Sequence, residues 1–139
     1  MRKIFFILIA FMTFIVCNES QKNGDNGSIF MTEFDTPFGT PPFDQITFDD
    51  YKPAFIAGMK QQKEEIEAIV NNQDEPTFEN TIVAMDNSGR TLSRVSRVFY
   101  GLRGANTNDQ IRALAEELSP LLSEHSDNIY LNEELFNRI

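Results

Sequence analysis

The segment 76–110 limits the fold most strongly, because one apolar stripe runs through it at helical spacing. The stripe residues lie three, four or seven positions apart, and such steps keep side chains on one face of a helix that repeats about every 3.5 residues. Thr77 suits the N-terminal cap, and Gly101 and Gly104 suit the stop, so we expect one long helix over 77–102. The stripe consists of Phe78, Ile82, Met85, Leu92, Val95, Phe99 and Leu102.

Two smaller features of this segment predict its neighbours. Gly89 fills the stripe between Met85 and Leu92. Because Gly inside a helix costs about 1 kcal/mol relative to Ala, we expect another element to pack closely against it. Thr107 followed by Gln110 matches a capping box, so we expect Thr107 to cap the next helix.

A helix on each side of this segment completes the predicted bundle. Helix 1 is expected to begin between Asp49 and Pro53 and to end near Asn71, and the short polar turn after it makes helices 1 and 2 an antiparallel hairpin. Helix 3 is expected over 108–130, kinked at Pro120 because proline removes one backbone hydrogen bond. The apolar seams are Phe55, Met59, Ile66 and Ile69 in helix 1, and Ile111, Leu114, Leu118, Leu121, His125 and Ile129 in helix 3.

An arm rich in phenylalanine and proline, from Ile29 to Tyr51, leads into helix 1. Prolines forbid a long helix there, and phenylalanines in an irregular segment need an apolar surface to cover them. That surface is either the helices of this chain, a catalytic body that the chain lacks, or a bound peptide. The phenylalanines are Phe30, Phe34, Phe38, Phe43 and Phe48. The predicted class is all-α: an antiparallel helical hairpin, a third Pro-kinked helix and an extended aromatic and proline-rich N-terminal arm.

The N-terminus has the pattern of an export signal. Two basic residues precede an apolar run from Ile4 to Val16, which is too short to cross a hydrocarbon core of about 30 Å. Cys17 follows at once, which suggests a bacterial lipoprotein signal with a lipid on its sulfur, although Val16 departs from the small residue such signals have. A soluble periplasmic or secreted product, an uncleaved anchor and an ordinary signal cysteine stay open as alternatives.

These features divide the chain into three parts. We expect a signal peptide at 1–17, a flexible linker at 18–28 and a helical region at 29–139. The predicted location is therefore outside the cytoplasm, in the periplasm or as a cell-envelope lipoprotein tethered to the membrane through Cys17.

Several stretches resemble a known family. The resemblance is carried by PTFENTIVAMDNSG, RVFYGLRGANTNDQI and LSPLLSEHSDNIYLNEELFNRI, with FDTPFGTPPFDQI and YKPAFIAGMKQQKEEIEAIVNN upstream. They resemble the N-terminal helical region of the thimet oligopeptidase family of zinc metallopeptidases, in particular its peptidyl-dipeptidase branch. The resemblance runs from about Phe34 to Ile139 and implies the N-terminal part of a larger, mostly helical zincin-type peptidase. In that family these helices form part of the wall and lid of a deep channel that admits short peptides.

The catalytic motif of that family is absent from the sequence. The family binds zinc through HExxH on a helix and a Glu further on, and the resemblance places both far downstream. His125 and Cys17 are the chain's one His and one Cys, so a zinc site of His and Cys ligands cannot be assembled from them. We predict no catalytic, cofactor-binding or metal-binding residue here and expect zinc only in the full-length family member. A predicted fourth helix, from Glu133 to Ile139, stops within about two turns, so we expect the domain to continue.

Charge and the remaining polar residues restrict the partners. A net charge of −9 argues against nucleic acid or an anionic membrane surface. Three arginines of helix 2 share one face, and we expect them either to pair with acids of helix 1 or with Glu116 or Glu117, or to recognise a substrate carboxylate. These are Arg90, Arg94 and Arg97. Adjacent Glu64 and Glu65 are predicted to lie on a solvated face, and His125 to be a hydrogen-bonded core or boundary residue.

Two functions follow from these observations. The first is the N-terminal fragment of an exported zinc-dependent peptidyl-dipeptidase or oligopeptidase that hydrolyses short peptides, with the remainder of the peptidase chain as partner. The second is a stand-alone, lipid-anchored helical binding or scaffold module of the cell envelope. Coding sequence beyond Ile139 distinguishes them, since the first requires it to continue to HExxH. For the first, we expect a marginally stable fragment with exposed Phe30, Phe34, Phe38 and Phe136.

Overall fold

The structure, a computed structural model, describes residues 28–139 of the 139-residue chain. This part of the chain is helical and contains no strand, so the predicted all-α class is confirmed. The predicted signal peptide with Cys17, and residues 18–27 of the predicted linker, lie outside the described residues.

The described residues form a small bundle preceded by the arm. The helices are α1 (Tyr51–Val70), α2 (Ala84–Asn87), α3 (Arg90–Ala105), α4 (Asp109–Tyr130) and α5 (Glu133–Phe136). A π-helical turn, Phe78–Val83, runs directly into α2, and short 3-10 turns occupy Ser28–Phe30, Pro37–Gly39 and Phe48–Asp50. Helix α1 packs along α3 and also contacts α4 and α5.

The hairpin of the first two long helices is antiparallel, as predicted. Phe55 near the start of α1 contacts Phe99 near the end of α3, with ring centroids 5.5 Å apart. Further along α1, Gly58 lies so close to Leu92 that an added Cβ would stand 2.9 Å from the Leu92 backbone. The bare backbone of Gly58 therefore lets α1 and α3 approach each other at this point.

The start of α1 lies within the predicted window. Thr47 and Asp50 form a capping box just before it, in which the Thr47 N–H donates to Asp50 Oδ2 at 2.7 Å. Pro53 falls in the first turn of α1, where its missing N–H has no intrahelical partner to lose.

The predicted second helix is not continuous, and this expectation was wrong. The helix stops at Asn87 and restarts at Arg90, because Gly89 adopts a left-handed conformation with φ +70°. The N–H of Gly89 donates to Glu65 Oε2 at 2.7 Å, which replaces the hydrogen bond that a continuous helix would supply. The predicted close neighbour of Gly89 is confirmed, since a Cβ there would lie 2.4 Å from the Gln62 side-chain nitrogen.

The predicted connection between helices 2 and 3 was also wrong in detail. Helix α3 continues through Gly101 and Gly104 to Ala105. The cap of α4 is Asn108 and not Thr107: its backbone is extended, and its Oδ1 accepts a hydrogen bond from the Ile111 N–H at 2.9 Å. The cap at Thr77 is confirmed, since its hydroxyl accepts from the Asn80 N–H at 3.1 Å.

The arm lies across the helices of its own chain, which was one of the three predicted surfaces. Phe30 is completely buried, and its ring lies 5.7 Å from that of Tyr51 and 6.1 Å from that of Phe34. The expectation that Phe30 and Phe34 are exposed was therefore wrong, because α1 and α3 form an apolar surface that accepts both rings. Phe38 and Phe136 are exposed, as predicted.

The apolar seams form two clusters. The larger joins the arm, α1, α3 and the first half of α4, and it includes Phe55, Val95, Phe99, Ile111 and Leu118. The smaller joins the end of α1 to α4 and α5. Phe78 was predicted to lie in the seam, but it is 65% exposed. The π-helical turn explains the difference, because its i to i+5 hydrogen bonds change the angle between successive side chains.

Candidate functional site

A groove between the arm and α3 collects the three arginines that the sequence singled out. It encloses about 560 Å³ and is bounded by arm residues on one side and α3 on the other. Its lining includes Glu33, Phe34, Gly39, Pro41, Asp86, Ser88, Arg90, Ser93, Arg94, Arg97 and Val98. Since binding cavities for small ligands occupy roughly 300–1,000 Å³, this groove is large enough for a short peptide.

The three guanidinium groups of the groove are held by uncharged oxygens. Arg94, half-buried, donates through Nη1 to the backbone oxygen of Phe30 at 2.7 Å. Arg97 donates through Nε to the Ser93 carbonyl at 3.3 Å, and Arg90 donates to the side-chain oxygen of Asn87. Among residues 28–139, no carboxylate oxygen lies within 4.0 Å of any of the three.

The ion pairs predicted for these arginines are therefore wrong. Glu117 pairs with Lys52 at 2.5 Å instead, because α4 places it beside the start of α1. The acids of α1 pair within their own helix, Glu64 with Lys60 and Glu67 with Lys63. Each arginine consequently retains donors that no carboxylate in the described part of the chain uses, and one arginine can offer two parallel N–H groups to a carboxylate.

A tight turn of the arm lies beside this groove. Phe38 has φ +62°, in the left-handed region that bulky residues rarely adopt, and Gly39 has φ +63°. Hydrogen bonds within the turn hold this shape: the Gly39 N–H donates to the Thr36 carbonyl at 2.9 Å, and the Thr40 hydroxyl donates to the Pro37 carbonyl at 2.9 Å. The turn thus presents the Phe38 ring fully to solvent, next to a residue that lines the groove.

A polar network at the break between α2 and α3 forms the second notable cluster. Gln62 Oε1 can only accept, so His125 donates to it through Nε2–H at 2.8 Å, and Gln62 Nε2 donates to the Ser88 hydroxyl at 3.4 Å. Glu65 accepts from Gly89, so the expectation that it lies on a solvated face was wrong. His125 is a boundary residue as predicted, and burial lowers its pKa below the usual value.

The described residues contain no cluster of metal ligands. No group of three or more His, Cys, Asp and Glu side chains in this part of the chain could hold a metal ion. Within the described residues, His125 is the one histidine, and its Nε2 contacts the Gln62 side chain. None of the helices in the described range is both long and apolar enough to cross a lipid bilayer.

Two features of this site were not predicted from the sequence. The groove itself was not foreseen, because the arm was expected to expose Phe34, which instead lines one wall of the groove. The left-handed turn was also missed, although the sequence Thr-Pro-Phe-Gly-Thr carries its signal: Pro followed by Gly within three residues favours a tight turn.

Comparison with known proteins identifies relatives of this chain. No profile of a known protein family matches it. The dipeptidyl carboxypeptidase of Escherichia coli (strain K12) is 44% identical over 110 residues, which make up 79% of this chain and 16% of that protein. The dipeptidyl carboxypeptidase of Salmonella typhimurium is 46% identical over 103 residues, or 74% of this chain and 15% of that protein. Oligopeptidase A of Escherichia coli is 28% identical over 101 residues, or 73% of this chain and 15% of that protein.

The chain thus spans about one sixth of the length of the curated relatives it matches. The resemblance predicted from the sequence is confirmed: over its matched residues, this chain is a homologue of the N-terminal region of dipeptidyl carboxypeptidase and, at lower identity, of oligopeptidase A.

Proposed function

We propose that this chain is the N-terminal helical part of an exported, zinc-dependent peptide hydrolase that acts on short peptides. The observation that carries the proposal is the 44% identity over 110 residues to a dipeptidyl carboxypeptidase. This similarity favours the N-terminal part of a peptidase over a stand-alone, lipid-anchored scaffold module. No feature of the described residues supports the scaffold module.

The chemistry of the proposed hydrolase does not come from these residues. The described side chains do not fit a zinc centre, since no cluster of three ligating groups is present among them and His125 contacts Gln62. We therefore assign no reaction step to this part of the chain. The zinc expected in a full-length family member would be held by residues outside the described range, and the 139-residue chain alone would be inactive.

The proposed role of these helices is to shape the peptide channel and to support the remainder of the peptidase. One end of the bundle supports this role, because large apolar side chains stand exposed where α4, α5 and the π-helical turn meet. They are Phe78, Tyr130, Leu131, Phe136 and Ile139. Exposed apolar groups of this kind mark surfaces that other protein segments cover, so this end suits contact with a catalytic body.

Export is proposed from the N-terminal sequence. The apolar run ending at Val16 and the cysteine that follows support a lipoprotein signal, with a membrane tether at Cys17 in the periplasm or cell envelope. We expect Cys17→Ser to abolish membrane association of the mature product in cell fractionation. An unchanged mature mass and unchanged membrane association of the variant would contradict the lipid tether.

Reading the coding sequence beyond Ile139 tests the proposed function at once. We expect an open frame that continues to an HExxH motif with a Glu further on. A stop codon directly after Ile139, with a stable product of this size in cells, would contradict the proposal and support the scaffold module.

A further inference from the structure

We propose that the groove between the arm and α3 binds a short peptide through its C-terminal carboxylate. The first argument is charge. Arg90, Arg94 and Arg97 all line the groove, and no carboxylate of residues 28–139 lies within 4.0 Å of them, although the whole chain carries a net charge of −9. Three cations that no carboxylate of the described residues pairs with make a place where a ligand carboxylate gains favourable contacts.

The second argument is the positioning of the central arginine. Arg94 is half-buried and fixed by its hydrogen bond to the Phe30 carbonyl, and Phe30 is itself completely buried. Its guanidinium is therefore held in place before any ligand arrives, which reduces the entropy lost on binding. The remaining N–H groups of a fixed guanidinium suit two-point recognition of a carboxylate better than the single ammonium of lysine does.

The third argument concerns the class of ligand. Glu33 and Asp86 also line the groove, so its lining carries three positive and two negative side chains. This mixture disfavours small, highly charged anions such as phosphate. It favours a ligand that brings one carboxylate together with amide N–H groups, which is the chemistry of a peptide end. Phe34 and Val98 add apolar lining for a side chain next to that end.

The fourth argument is the exposed ring at the edge of the groove. Phe38 is fully exposed on a left-handed turn, a conformation that bulky residues rarely adopt. Residues other than glycine that are held in this region of backbone conformation cluster at active sites and ligand-binding elements. Because Gly39 lines the groove, the neighbouring Phe38 ring is placed to cover an apolar side chain of the bound peptide.

This inference rests on the proposed function only for the choice of a peptide as ligand, and binding can be measured without any hydrolysis. The probe is the dipeptide acetyl-Ala-Phe with a free C-terminal carboxylate, titrated into the full 139-residue chain by isothermal calorimetry. The comparison ligands are the same dipeptide with a C-terminal amide, and inorganic phosphate. We expect the acid to bind at least about 10-fold more tightly than either one, which is a difference of about 1.4 kcal/mol.

The variants Arg90→Gln and Arg97→Gln test the place of binding, because both side chains are exposed and make only local hydrogen bonds. We expect each to weaken binding of the acid by about 3- to 10-fold. Arg112→Gln is the matched control: Arg112 is an exposed arginine on α4, pairs with Asp109 and does not line the groove, so it should leave binding unchanged. Near-ultraviolet circular dichroism checks that each variant keeps its packing.

Three results would overturn the inference. They are equal affinity for the acid and the amide, competition by phosphate as strong as that by the acid, or a loss in Arg112→Gln equal to the loss in Arg97→Gln. Failure of the binding test would leave the proposed hydrolase as it stands, because that proposal depends on the sequence beyond Ile139.

Discussion

Replacement of Gly89 by Ala tests how the break between α2 and α3 is held. Two effects add in this position. The first is backbone strain, because a residue with a Cβ at φ +70° costs about 1–2 kcal/mol relative to Gly. The second is the Gln62 side chain, whose nitrogen would lie 2.4 Å from the new Cβ and must therefore move.

Movement of Gln62 is sterically feasible because the conflict involves the end of a flexible side chain, but it costs hydrogen bonds. Gln62 would lose its contact with His125 at 2.8 Å and its longer contact with Ser88 at 3.4 Å. A typical hydrogen bond contributes about 1 kcal/mol net. Together with the strain, we expect Gly89→Ala to lower the free energy of unfolding by about 2–4 kcal/mol.

Urea denaturation of the full chain, followed by circular dichroism, measures this change. Gly101→Ala is the matched control, since Gly101 lies within α3 and a Cβ there meets nothing within 4 Å. We expect the control to raise the free energy of unfolding by up to about 1 kcal/mol, the difference in helix propensity. If Gly89→Ala were as stable as Gly101→Ala, the account of a left-handed break packed against Gln62 would be refuted.

Three further predictions concern the arm, His125 and zinc, and the first two use the same urea denaturation. Phe30→Ala should cost about 3–5 kcal/mol because it empties a completely buried site, whereas Phe38→Ala should change the free energy of unfolding by no more than about 0.5 kcal/mol; equal costs would contradict the placement of the arm. His125 has its pKa lowered by burial, so below about pH 6.5 the unfolded chain binds a proton that the folded chain binds only at lower pH. The free energy of unfolding should thus fall between pH 7.5 and 5.5 more steeply in the wild type than in His125→Gln, and parallel profiles would count against a lowered pKa of this partly buried imidazole. Finally, the purified 139-residue chain should retain no stoichiometric zinc after dialysis, and one zinc per chain by atomic absorption would contradict the ligand inventory.

The sequence predicted the long helices well, because their apolar seams repeat over many residues and tolerate local irregularity. Helix α1 begins within the predicted window, and α4 places Ile111, Leu114 and Leu118 in the core as expected. The periodicity of the middle segment concealed its break, because Gly89 occupies a position that a continuous helix would also fill. Its left-handed conformation depends on Glu65 and Gln62, which come from another helix.

The burial of the individual phenylalanines in the arm could not be predicted from the sequence. The sequence indicated that these phenylalanines pack against an apolar surface. The residues next to them in the sequence do not distinguish Phe30, which is buried, from Phe38, which is exposed. The difference arises from the surface that α1 and α3 build together, and long-range packing of that kind leaves no periodic signal. The arginine face was predicted correctly as a unit, yet the groove around it exists only because the arm folds back over α3.

The most direct test of the account is the release of C-terminal dipeptides by the polypeptide translated from the gene extended beyond Ile139. An N-terminally blocked oligopeptide is incubated with this longer polypeptide or with the 139-residue chain, and the products are identified by mass spectrometry. We predict chelator-sensitive release of dipeptides by the longer polypeptide and none by the 139-residue chain. Absence of hydrolysis by a folded longer polypeptide that carries HExxH would contradict the assignment of these helices to a peptide hydrolase.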